Sequence, residues 1–403
     1  MAKTKAEYGT KRMRRAREAY INWKRYTEEL LAIKIAQSRA GEKVEGMDLM
    51  RLMVENSTEL AQQLQSPYSP SKLESGAGKE KGKRGTEPSL TKQEILGDTF
   101  ITVLGGHEST ANTIHFMLVH LALTPSAQRH LQADIDLTFN STPQNPTPTS
   151  QWDYDTCITT LLGNMAGATF NEMLRLMPPV ILIPKVVTEE RDQAVVFEGE
   201  TRVLPRGTRI MINNNGTGRS ERYFPSMGRS KITDKNHDID DFVPERWLKG
   251  GAASGKEEGK THGEKAEEKS AVDREFGGFT GTDTSDKLFK PIPGSYTPFS
   301  GGQRSCLGRR LAQVEMVTVL SVIFQKYSIE LAVDRWASDE EVEKMNEEEK
   351  REVYTKAMNR AMETIKTATA VLTLKLHGAR GGDKFIPVRI VKRGEERFIH
   401  LFQ

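Results

Sequence analysis

From residue 91 to about 123 the chain reads TKQEILGDTFITVLGGHESTANTIHFMLVHLAL, a helical run that is apolar on nearly every side. A helix of that kind cannot rest on a surface, so the chain has to build a helical layer thick enough to bury it. Its start is marked by Thr91 and Glu94, which fit a capping box in which each satisfies a free backbone amide. Thr124-Pro125 ends it and opens another helix. Inside it stand two adjacent glycines, Gly105 and Gly106. Each costs roughly 1 kcal/mol relative to alanine in a helix interior, so the position needs a reason. Two readings stay open: close helix packing, or a local widening over a ligand with Glu108, Ser109 and Thr110 at hand.

On either side the pattern is helical with short β-like interruptions. Residues 20–54 read as helix, with Trp23, Tyr26, Leu30, Ile33 and Ile35 at roughly helical spacing. The basic cluster Lys11, Arg12, Arg14, Arg15 and Arg17 precedes them and reads as a solvated face, with an acidic partner or a membrane surface as the alternative. Residues 65–88 are rich in Pro, Gly, Ser and Lys and read as a linker; 249–286 read as a disordered insertion. A helical stretch over 152–176 ends at Pro178-Pro179, followed by β-like runs at 180–187, 194–197 and 208–212. The last third holds an apolar helix over 309–325, a charged helical segment over 338–366, and strands near 371–376 and 385–391. The fold class is therefore mainly α with small β-sheets (α+β), organised as a helical segment 1–64, the linker 65–88, and a core over 89–403.

Composition excludes several classes. A net charge of +3 is too small for a nucleic-acid binder, which must neutralise many phosphates. Two cysteines, Cys157 and Cys306, do not make a stapled secreted scaffold, so a reducing compartment is expected. No stretch reaches the roughly 18 to 20 apolar residues that span a bilayer, so neither signal peptide nor membrane anchor is expected in this chain.

The densest chemical signal is Phe299-Ser-Gly-Gly302-Gln-Arg304-Ser-Cys306-Leu-Gly308, a cysteine in a glycine-rich loop followed at once by an apolar helix. Glycines let backbone approach a flat ligand, and a helix start favours a thiolate. On these residues alone Cys306 is either a metal ligand or a small buried hydrophobe, the usual fate of a free cysteine. A second signal is Glu172-Met-Leu-Arg175, whose i, i+3 spacing allows an ion pair, with Phe242-Val-Pro244-Glu-Arg246-Trp247 downstream.

Together these strings resemble the cytochrome P450 family: its heme-binding cysteine loop, its E-x-x-R helix with the partner P-E-R loop, and its oxygen-activation segment A/G-G-x-D/E-T. The resemblance covers roughly residues 89–403. It implies that Cys306 is the proximal ligand of a heme (iron protoporphyrin IX), that Phe299 packs near the sulfur, and that Arg304 pairs with a heme propionate. Gly302 and Gly308 shape the loop. Glu172, Arg175 and Arg246 would form a buried charge network that is structural. Gly106 would face the ligand, and Glu108 and Ser109, beside Thr110, would relay protons; serine stands where threonine is usual. Lys185 falls where the family often carries an arginine near a propionate. His107, His115 and His120 read as helix filler or core residues, and Cys157 as a buried structural thiol.

The implied activity is that of a heme-thiolate monooxygenase acting on a small organic substrate, with electrons from NADPH delivered through a cytochrome P450 reductase or similar donor. The implied setting is fungal specialised or lipid metabolism, at the cytosolic face of the endoplasmic reticulum, although this chain without an anchor would be cytoplasmic. Only about 90 residues precede the oxygen-activation helix, so the fold is expected to be incomplete at its N-terminus. The alternative is a truncated, catalytically inactive remnant.

Overall fold

The capping box at Thr91 forms: the Thr91 amide donates to Glu94 Oε2 (2.8 Å) and the Glu94 amide to Thr91 Oγ1 (3.3 Å). The helix it starts runs unbroken over Lys92–Leu123, through both glycines. The computed structural model describes residues 10–42, 48–57, 90–249, 284–370, 373–376 and 385–402. The linker 65–88 and nearly all of the insertion 249–286 lie outside them. The chain divides into two compact units, Met1–Gly105 and Gly106–Gln403, whose boundary falls within the long helix.

In the first unit the expected helix over 20–54 is two helices, Lys11–Arg39 and Leu49–Glu55. The first starts nine residues earlier than its apolar pattern suggests because Thr10 caps it, accepting from the Met13 amide. It ends before Gly41, which adopts φ +66°, a left-handed conformation that helix cannot continue through. Asp48 caps the second helix and pairs with Lys34 at 2.6 Å. Leu31, Met50, Val54 and Ile95 form this unit's small core.

The second unit is built around the helix Met165–Leu176, every residue of which is buried. Helices Pro125–Phe139, Tyr154–Leu162 and Arg309–Phe324 pack on it. The last turns of the long helix join the same core through Phe116, Met117, Val119, Leu121 and Ala122. Burial of the long helix is therefore dense only in this half; in its front half Ile95 and Thr99 are covered. Phe100, Ile101, Val103 and Leu104 in its front half are exposed, so the expectation of a helix buried throughout is corrected. The reason is that the covering helices belong to the second unit's core, which the long helix enters only after the glycine pair.

Among the described residues the second unit also holds four two-stranded antiparallel ladders. Strand β1 (Leu182–Val186) pairs with β4 (Arg209–Asn213), Pro184 opposite Met211. Strands β2 (Gln193–Phe197) and β3 (Glu200–Leu204) form a hairpin whose two turn residues, Glu198 and Gly199, both have positive φ (51° and 79°). That turn matches the right-handed twist of the strands. The sequence pattern gave no strand at β3, where Glu200 and Arg202 break the apolar run. Strand β5 (Tyr327–Leu331) pairs with β8 (Val388–Lys392), and β6 (Thr369–Ala370) with β7 (Leu374–Lys375). The charged segment 338–366 is two helices, Asp339–Lys344 and Glu347–Ile365, because Asn346 begins a new capping box with Glu349.

His120 sits in this core, its Nδ1–H donating to the Phe116 carbonyl at 2.9 Å. Burial holds its pKa down at about 4, against 6.5 for a free imidazole. The unfolded chain thus takes up this proton well before the folded one does. Stability is full above about pH 6.5 and is lost as pH falls toward 4, by about 3 kcal/mol in total. Urea unfolding of wild type and His120→Phe at neutral pH and near pH 5 checks this: the acid-induced loss should be clearly smaller in the variant.

Candidate heme-thiolate site

The loop ahead of the helix Arg309–Phe324 is closed by a single backbone bond, the Cys306 amide donating to the Phe299 carbonyl at 2.8 Å. Two left-handed residues, Ser300 (φ 61°) and Gly302 (φ 74°), turn the chain within it. Residues Gly302–Arg304 form a short 3-10 turn, and Gly308 is the N-cap of the helix that follows. Phe299 is buried, 6.2 Å from the Phe170 ring, with the Arg309 guanidinium 5.9 Å over its face. Cys306 is a free thiol and exposed, and Leu307 beside it is 95% exposed. A β-carbon added at Gly301 or Gly302 would meet nothing within 4 Å. The loop therefore presents a thiol on an open, glycine-lined surface, and the reading of Cys306 as a small buried hydrophobe does not hold. Burial raises the pKa of Cys157, the expected buried thiol.

Behind the loop lies the charge network. Glu172 and Arg175 face each other one turn apart with both side chains fully buried, joined at 2.7 and 2.8 Å. Glu172 also accepts from Arg246 Nε (2.9 Å), Trp247 Nε1 (2.9 Å) and the Val243 amide (2.9 Å). Burial alone would push this carboxyl up, but the two guanidiniums override it and hold its pKa at about 2. Arg175 donates onward to the carbonyls of Gly218 (2.6 Å) and Ile239 (2.7 Å). Gly218 has to be glycine, since a β-carbon there would lie 2.4 Å from the Arg175 carbonyl oxygen. Arg246 reaches Asp238 at 3.3 Å. Asp238 and Asp241 were not singled out from the sequence; the run His-Asp-Ile-Asp-Asp directly before the P-E-R string was the available signal.

The network and the loop meet through connectors that the sequence reading also missed. Tyr296 Oη donates to Asn171 Oδ1 (3.0 Å) on the central helix, next to Glu172. Asn214, at the end of β4, bonds Thr297. Lys185 Nζ on β1 donates to Ser300 Oγ at 3.2 Å, so this residue is brought to the loop. Arg304 lies exposed on the loop.

On the long helix Gly106 is exposed, Glu108 and Ser109 are half-buried, and Thr110 is buried. A β-carbon at Gly105 or Gly106 would meet nothing within 4 Å, so close packing among the described residues does not explain the pair. Gly106→Ala should stabilise the chain by up to about 1 kcal/mol, read as a raised thermal midpoint, because helix propensity improves and nothing is displaced. Thr113 Oγ1 donates to the Ser109 carbonyl (2.9 Å).

The chain thus presents an exposed thiol on an open loop, with a buried Glu–Arg–Arg cluster on the helix and turn that the loop's connectors reach. The family model for cytochrome P450 matches residues 38–355, and the chain belongs to that family. It is 27% identical over 251 residues to the cytochrome P450 monooxygenase ORF6 of Penicillium roqueforti (strain FM164), covering 61% of this chain and 37% of that protein. It is 24% identical over 373 residues to the cytochrome P450 monooxygenase AOL_s00215g278 of Arthrobotrys oligospora, covering 92% and 53%. The rat (Rattus norvegicus) mitochondrial sterol 26-hydroxylase is 26% identical over 249 residues, 61% of this chain and 35% of that enzyme. The crystal structure of a cytochrome P450 (CYP102L1) shares the fold, with a TM-score of 0.53 and 18% identity over 94% of this chain and 58% of that one. The chain thus spans between about a third and a half of the length of these curated relatives.

The family implies heme, and the residues present fit it. The macrocycle supplies its own nitrogen ligands, so the protein needs to add one donor and room for the ring. A free, exposed Cys306 would offer the donor, and the open surroundings of Gly301 and Gly302 would leave the room. Among the described residues no group of three or more His, Cys, Asp or Glu could hold a metal by itself.

Proposed function

We propose that this chain forms the heme-thiolate centre of a monooxygenase that inserts one oxygen atom from O2 into a small organic substrate. The observation that carries the proposal is the free, exposed Cys306 thiol ahead of a helix start, on a residue whose backbone amide donates to the Phe299 carbonyl. Heme, when bound through a thiolate, supplies dioxygen activation with electron donation that favours O–O cleavage. Cys306 would hold the iron through its sulfur, ahead of a helix start that favours negative charge. Arg304 and Lys185, both on or against the loop, offer cations to the propionate side. On the long helix, Glu108 and Ser109 hold and pass protons at their carboxyl and hydroxyl oxygens. Ser109 suits this better than Thr110, whose side chain is buried. The exposed apolar residues Val180 and Leu182, in the run after the central helix, suit a pocket for an apolar substrate.

By family, electrons come from NADPH through a reductase. The fungal monooxygenases and the sterol hydroxylase among its relatives support a place in specialised or lipid metabolism. The cytosolic face of the endoplasmic reticulum is the inferred site of action; no helix among the described residues is long and apolar enough to cross a membrane. The test is to load the chain with hemin, reduce it and add CO. A strongly red-shifted Soret band is the expected signature of thiolate ligation. Its absence would overturn the reading in favour of an inert remnant.

A further inference from the structure

Asn214 is buried (6% exposed) and is the first residue after β4, where the short helix Asn214–Gly218 begins. Both ends of its side-chain amide are used. Nδ2 donates to the carbonyls of Val180 (3.3 Å) and Thr297 (3.2 Å), and Oδ1 accepts from Thr297 Oγ1 at 2.7 Å. Its backbone amide donates to the Ile181 carbonyl at 3.0 Å. One residue thus ties the start of the cysteine loop to the chain entering β1.

Thr297 is the right place for such a tie. Its carbonyl also receives the Ser300 amide at 3.0 Å, forming the turn that carries Phe299, and Phe299 in turn accepts the Cys306 amide at 2.8 Å. At the other end of the same short helix, the Gly218 carbonyl accepts from Arg175 at 2.6 Å. The buried charge network and the loop are therefore linked through five consecutive residues that begin at Asn214.

We propose that Asn214 is a positioning residue for the Cys306 thiolate. By clamping Thr297 through both amide ends it fixes the point from which the loop departs, and so the direction in which the sulfur would face the iron. This rests on the heme-thiolate reading above. A leucine at 214 would leave the Val180 and Thr297 carbonyls without this donor, whereas Thr297→Val removes only the hydroxyl's bond to Oδ1.

The test compares Asn214→Leu, Thr297→Val and Thr297→Ser with wild type, using two readouts. The first, in the heme-free chain, is hydrogen-exchange protection of the Cys306 amide. The second is the share of hemin-loaded, reduced, CO-bound protein that shows the thiolate band. Asn214→Leu and Thr297→Val should lower Cys306 amide protection about fivefold, as the loss of one net hydrogen bond would, and reduce the thiolate share. Thr297→Ser, which keeps the hydroxyl, should match wild type in both. Wild-type values in both readouts for Asn214→Leu and Thr297→Val would overturn the proposal. If Asn214→Leu fails to fold, Thr297→Val against Thr297→Ser decides. If wild type itself shows no thiolate band, the heme reading fails and the exchange measurement alone decides whether the clamp orders the loop.

Discussion

Replacing Glu172 with glutamine is expected to destabilise the folded chain by about 3–5 kcal/mol, the range for breaking one partner out of a buried ion cluster. The carboxylate accepts from five donors: two nitrogens of Arg175, one of Arg246, the Trp247 indole and the Val243 amide. Glutamine is neutral and turns one of those acceptors into a donor. Arg246 would retain Asp238, but Arg175, 1% exposed, would keep only backbone carbonyls around a full charge. Chemical denaturation of the heme-free chain measures the effect; a loss below about 1 kcal/mol would mean that the cluster contributes no more than a surface pair. Acid makes the same change. With a folded pKa of about 2 against an ordinary 4.5, Glu172 adds stability that is present above pH 4.5 and lost as pH falls toward 2.

The second large effect runs the other way. Cys306→Ser should leave the unfolding free energy within about 0.5 kcal/mol of wild type, because the side chain is exposed and the backbone bond to Phe299 survives. The same change should abolish the thiolate band altogether, since a hydroxyl is a far poorer donor to this iron than a thiolate. The pair of variants separates what holds the site from what performs its chemistry. A serine variant that unfolded like Glu172→Gln would contradict that division.

Much of this arrangement was legible in the sequence because it is carried by local strings. The i, i+3 spacing of Glu172 and Arg175, the capping box at Thr91, and the glycine-bracketed Cys306 each occupy a few consecutive residues and depend little on the rest of the chain. What was not legible depends on residues far apart in sequence. Asn214 meets Thr297 across 83 positions, and Tyr296 meets Asn171 across 125; neither has a local pattern to mark it. The half-exposed long helix is a different case. Its apolar run is continuous, and only the packing of other elements decides that Phe116 is covered and Ile101 is not. Breaks in the charged segment and the N-terminal helix were missed because each turns on a single residue: Asn346 starts a new helix and Gly41 follows the end of one.

The central claim, that Cys306 is the protein's ligand to a heme iron, is tested most directly by iron X-ray absorption on the hemin-loaded chain and its Cys306→Ser variant. The account predicts one sulfur scatterer in the first coordination shell of the wild type and none in the variant. A wild-type shell of nitrogen and oxygen alone would contradict it.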